Sequence, residues 1–88
     1  MEEIKLTIID PIGIHAKVAA GIVNIASQYE ADVYLLYKNE KANMKSILNI
    51  LALGISTNED ITIEISGVDE LEASQGIFNY FYNNKLAK

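Results

Sequence analysis

Ile61-Thr62-Ile63-Glu64-Ile65-Ser66 places an isoleucine at every second position with a polar residue after each. Successive side chains of a strand point to opposite faces, so this stretch reads as a strand with its three isoleucines toward a core and its polar groups toward water. The rest of the chain must then supply partner strands and something to cover the isoleucine face. Downstream, Asp69 followed by Glu72 has the spacing of a capping box and starts a helix predicted to reach about Asn83. Ala73, Ile77 and Phe81 form its inward stripe, Phe78, Tyr80 and Tyr82 belong to the core and its margin, and Lys85 to Lys88 is expected to be a frayed tail. Upstream, Ser46 precedes Ile47-Leu48-Asn49-Ile50-Leu51-Ala52-Leu53, and Gly54 follows, which are start and stop signals for a short helix. That helix is apolar on nearly every side, so its outward face is either covered or a docking patch.

Further strands follow from the same period. Ile4-Lys5-Leu6-Thr7-Ile8 alternates and is ended by Asp10-Pro11 and Gly13. Asp32 to Tyr37 is rich in β-branched and aromatic residues, and Lys38-Asn39-Glu40 turns it into a short strand near Lys41 to Met44. From Ala16 to about Gln28 the period changes: Ala19, Ile22, Val23 and Ala26 fall three and four apart on one helical face, with His15 at or near the N-cap. The opposite face carries Lys17, Ala20, Gly21, Asn24 and Ser27. Gly21 costs such a helix roughly 1 kcal/mol relative to alanine, so this small, nearly neutral face is either shaped for close approach of a partner or an undistinguished surface. The order strand, helix, strand, strand, helix, strand, helix buries every stripe if one antiparallel or mixed sheet carries its helices on a single face.

Composition narrows the function. Eighty-eight residues suit one domain, residues 1–88, with a single core and little room for a deep catalytic cleft. No apolar run approaches the roughly 20 residues of a membrane-spanning helix. Met1 to Lys5 carries two glutamates and no basic leader, so a cytoplasmic location without membrane insertion is expected. The absence of cysteine removes disulfides and thiolate chemistry, and one histidine cannot build the usual zinc set, so neither metal nor cofactor is expected. Glu2-Glu3 and Glu59-Asp60 read as solvated charge. A net charge of −5 without any arginine argues against nucleic acid and for protein partners.

The single histidine stands in Gly13-Ile14-His15-Ala16-Lys17. By itself a histidine there can be a helix cap or a polar edge of the core. Together with Lys45-Ser46-Ile47-Leu48, Leu53-Gly54, the element order and the length, however, it resembles the histidine-containing phosphocarrier (HPr) family of the bacterial sugar phosphotransferase system. That resemblance implies an α+β open-faced β-sandwich, a four-stranded antiparallel sheet with three helices on one face in the order β-α-β-β-α-β-α. It implies a phosphoryl relay in which His15, at Nδ1, takes the group from enzyme I and passes it to sugar-specific IIA domains. Such a protein is a reaction intermediate more than an independent enzyme, and a monomer is expected. Ser46 matches a serine that an ATP-dependent HPr kinase phosphorylates in low-GC Gram-positive relatives, linking the carrier to a catabolite-control regulator.

Chemistry fits that role. An imidazole, with an ordinary pKa of about 6.5, is largely neutral near neutral pH and is a good nucleophile toward phosphorus. Phosphoryl transfer asks mainly for positioning and for stabilisation of spread negative charge. The backbone amides of Ala16 and Lys17 at the helix start and the Lys17 ammonium would supply that. Where the family carries Ala-Arg-Pro after the histidine, this chain has Ala16-Lys17-Val18. Lysine is a flexible point charge in place of a bidentate fork, whereas valine restores an amide that proline lacks. Gly21 likewise stands where the family usually carries a larger apolar residue. The expected partner surface joins Lys17, Ala20, Asn24 and Ser27 of the first helix to Ile47, Leu48 and Leu51 of the second, unless some of these three apolar residues lie in the core. For Ser46, a serine N-cap needs no kinase to explain it. The alternatives to a phosphocarrier are a regulatory relative with a weak transport role and a small protein- or metabolite-binding α/β module with a structural histidine.

Overall fold

The isoleucines of the 61–66 stretch sit in the middle of the protein. In the computed structural model, which describes Met1–Lys88, β4 (Asp60–Ser66) lies between β1 (Glu2–Thr7) and β2 (Asp32–Tyr37), and β3 (Glu40–Asn43) forms the far edge. All pairings are antiparallel, in the order β1-β4-β2-β3, with Ile4 opposite Ile63 and Ile63 opposite Leu35. Ile61, Ile63 and Ile65 are almost fully buried and join Leu6, Val33 and Leu35 on one face of the sheet. The intervening Tyr34, Leu36, Thr62 and Glu64 lie on the other, uncovered face, where only partial burial is reached.

Three helices cover the isoleucine face: α1 (Ala16–Ala26), α2 (Ile47–Ala52) and α3 (Glu70–Asn83). They deliver Ile22 and Ala19, Ile50, and Ala73, Ile77 and Phe81 to one hydrophobic cluster. The element order called for one antiparallel or mixed sheet with its helices on a single face, and the open-faced α+β sandwich that the family resemblance implies is the observed architecture. Lys38 and Asn39 both have positive φ, 46° and 55°. Two such residues make the tight mirror-image turn whose twist suits a hairpin, so Glu40 already belongs to the strand. No helix is long and apolar enough to cross a membrane.

Three local expectations are corrected. Phe78 and Tyr82, read as core and its margin, stack on each other with ring centroids 6.1 Å apart and stand 43% and 63% exposed, so of that aromatic cluster Tyr80 alone packs against the core. The chain end is not frayed: Leu86 and Ala87 are buried, Thr7 and Lys88 exchange backbone hydrogen bonds of 2.8 and 2.9 Å, and Leu86 O accepts from Ile9 N. The apolar Leu86-Ala87 pair extends β1 by a bridge to Ile8 and closes the lower end of the core. Nor does Asp69 form a capping box with Glu72. Its carboxylate turns away from α3 and accepts the amides of Glu30 and Ala31, each at 2.8 Å, while Glu70 reaches back to the Gly67 amide. Asp69 thus staples the start of α3 to the α1–β2 connection, and those two amides hold its carboxyl below the ordinary carboxylate range.

Candidate functional site

The loop entering α1 is held from both sides. Asp10 makes a tight turn, its carbonyl accepting from Gly13 N and its carboxylate from Ile12 N. Gly13 then runs against the Ile55–Ser56 backbone at φ +83°, where a Cβ would stand 2.6 Å from Ile55 O. Only glycine fits that approach. Ile14 N donates to the same Ile55 carbonyl, and the side chain of Ile14 enters the core.

The Ile55–Ser56 segment is itself anchored. Glu59, which the sequence offered only as solvated charge, accepts from Ser56 N, from the Tyr37 hydroxyl and from the Lys38 ammonium at 3.3 Å. The Tyr37 hydrogen bond, then the Ser56 amide and Lys38, hold the Glu59 carboxyl below its usual range. Accepting the same bond, Glu59 raises the Tyr37 phenol above its usual value, with burial adding to the shift.

This framework presents His15 as the N-cap residue of α1, in an extended conformation and without a side-chain cap bond. Its carbonyl accepts from Ala19 N, which is the first bond of the helix. The amides of Ala16, Lys17 and Val18 find no partner within the chain. Three aligned donors and the positive end of the helix therefore meet beside a half-buried imidazole, an arrangement suited to an anion. Val18 buries its side chain while leaving its amide free, a donor that proline would lack.

His15, Lys17, Val18 and Asp10 line one side of a shallow cleft, and Tyr80, Asn84 and Leu86 line the other. Sequence reasoning missed the second wall. Its signals were Leu86 within an otherwise polar tail and Gly21, which marks a close approach on α1. Of the other residues singled out, Ala16, Lys17, Ala20, Asn24 and Ser27 are exposed along α1. On the adjacent α2, Leu48 is 79% exposed and Ile47 40%, whereas Leu51 is half-buried against the core. Ser46 caps α2, its hydroxyl accepting from the Asn49 amide and side chain at 3.3 and 3.0 Å. Gly21 is not an open seat for a partner: the phenol of Tyr80 occupies the space beside it.

Residues 2–83 match the family model described as the PTS HPr component phosphorylation site. The chain belongs to the HPr family. Among solved structures, the histidine-containing phosphocarrier protein of a mycoplasma is 29% identical, with a TM-score of 0.94 and 99% of each chain covered. HPr from Bacillus anthracis is 30% identical, with a TM-score of 0.83 over 90% of this chain and 94% of that one. Crh, the catabolite repression protein of Bacillus subtilis, is 32% identical, with a TM-score of 0.74 over 84% and 85% of the two chains; it is described as a dimer with a swapped domain. Family and fold together support a phosphocarrier role.

Proposed function

We propose that residues 1–88 act as one phosphocarrier domain of the phosphotransferase system, taking a phosphoryl group from enzyme I on His15 and handing it to sugar-specific IIA domains in the cytoplasm. The observation that carries this reading is the imidazole standing at the start of α1 beside three unpartnered amides and Lys17. In the transfer, the lone pair of neutral His15 Nδ1 forms the N–P bond as the donor's bond to phosphorus breaks, and that bonding pair returns to the donor. The amides of Ala16, Lys17 and Val18 and the Lys17 ammonium meet the negative charge spread over the equatorial oxygens. The mobile lysine grips it less rigidly than a guanidinium fork would. No intramolecular cap bond has to break for the ring to react.

Ala20, Asn24 and Ser27 with Ile47 and Leu48 form the surface that receives partners, the exposed leucine inserting where a partner offers an apolar hollow. Leu51 supports this surface from beneath. Ser46 is the control point: a kinase adding about −1.5 to −2 charges there leaves an anion at a helix start, which α2 tolerates, while repelling an acidic partner. A catabolite-control regulator would read that phosphate. The protein acts as a monomer in this reading.

Replacement of the family's Arg-Pro by Lys17-Val18 and the match to Crh favour, as a second reading, a regulatory relative with slow transfer. A reconstituted relay separates the two. Enzyme I and phosphoenolpyruvate should charge the protein, and the label should pass to an added IIA domain; a charged protein that cannot discharge to any IIA domain contradicts the carrier reading.

A further inference from the structure

The row of side chains that α1 turns outward has a gap at Gly21, and α3 fills it. A Cβ at Gly21 would collide with the Tyr80 hydroxyl, so the phenol lies directly on the helix backbone at that point. Tyr80 also lines the cleft that holds His15 and Lys17. Its ring packs against the core and edge-on to Phe81, with ring centroids 6.3 Å apart, which fixes the direction of the hydroxyl. That hydroxyl makes no hydrogen bond within the chain. Since no partnerless side-chain polar atom is fully buried, the hydroxyl keeps some contact with solvent. Lys17 lies four residues before Gly21 on the same helical face, so the hydroxyl stands about one turn, roughly 5–6 Å at the Cβ level, from the base of the lysine.

We infer that Tyr80 is a specificity-determining residue of the transfer surface: its hydroxyl, seated over Gly21, hydrogen-bonds the phosphoryl-donating protein at the point where α1 offers no side chain. The partner it fits presents an acidic or carbonyl oxygen there, since the neighbouring Lys17 favours negative charge and a phenol is a good donor. Tyr80 acts in docking and stands apart from the phosphorus chemistry, which lies a turn or more away at the start of α1. The inference rests on the phosphocarrier reading.

Steady-state phosphorylation by enzyme I tests it, with the protein as varied substrate. Tyr80→Phe keeps the ring and its packing but removes the hydroxyl. It should melt with the wild type and raise KM by about two- to tenfold, the value of one hydrogen bond, with kcat unchanged. Gly21→Ala, whose methyl displaces the hydroxyl, should raise KM similarly. Adding it to Tyr80→Phe should raise KM little further, because the clash is with the deleted oxygen. An active wild type with the same KM as Tyr80→Phe overturns the inference, as does a fall in kcat alone or full additivity of the two changes. A wild type that accepts no phosphoryl group overturns the carrier reading and the inference with it.

Discussion

Gly13→Ala tests how the loop before His15 is held. Alanine at φ +83° costs about 1–2 kcal/mol from the left-handed backbone alone. Its Cβ would also stand 2.6 Å from Ile55 O and 2.9 Å from Ser56 Cα, atoms of backbone that cannot swing aside as a side chain tip could. Forcing apart a packed contact of that kind typically adds about 1–3 kcal/mol. The expected loss is therefore about 2–5 kcal/mol, which in a domain of this size lowers the melting temperature by about 8–40 °C. Because Ile14 N and Gly13 share Ile55 as their support, the loop should move before the sheet does, and phosphoryl acceptance at His15 should fall even at temperatures where the variant is folded. Urea denaturation followed by circular dichroism measures the first effect and labelling by enzyme I the second. A loss below about 0.5 kcal/mol, well under the left-handed term alone, with full acceptance would refute the close approach as the reason for glycine.

Other outcomes follow from the same contacts. Leu86→Ala should cost about 2–3 kcal/mol, since Leu86 is only 6% exposed at the end of the core; a truly frayed tail would lose almost nothing in the same melt. Asp69 has a folded-state pKa below its ordinary value of 3.8, so its contribution is complete above that value and is lost as pH falls through the folded one. Asp69→Asn should melt lower near neutral pH and lose less on acidification. Parallel melting profiles from neutral pH into acid would contradict the staple. Ser46→Ala should lower stability by about 1 kcal/mol through loss of the α2 cap. Ser46→Asp should keep the cap and slow acceptance from enzyme I, and unchanged rates would remove the control role from that position.

Period-two and helical patterns made most of the fold legible because one-sided burial leaves its mark on every element. Ile61 to Ser66 had one geometry open to it, and it lies in one of the two interior strands. The misread ends share a cause. At Asp69 the spacing to Glu72 could not show that the amides of Glu30 and Ala31, nearly forty residues earlier, compete for the same carboxylate. Leu86 and Ala87 form too short a run to show a period, yet a two-residue bridge to β1 is enough to bury them. At the site, His15, Ala16 and Lys17 were readable because a helix start is a local feature. Tyr80 was not, since Gly21 announces a close approach without saying what approaches. Glu59 was hidden in the same way: its partners Tyr37 and Lys38 come from a hairpin more than twenty residues away in sequence.

In the proposed relay His15 carries the phosphoryl group. Incubation with enzyme I and labelled phosphoenolpyruvate, followed by acid and base treatment of the protein, decides whether it does. The expected result is one labelled group per chain, lost in acid and stable in base, and absent from His15→Ala while that variant remains folded. A label that persists in His15→Ala, or a wild-type protein that takes none from an active enzyme I, would contradict it.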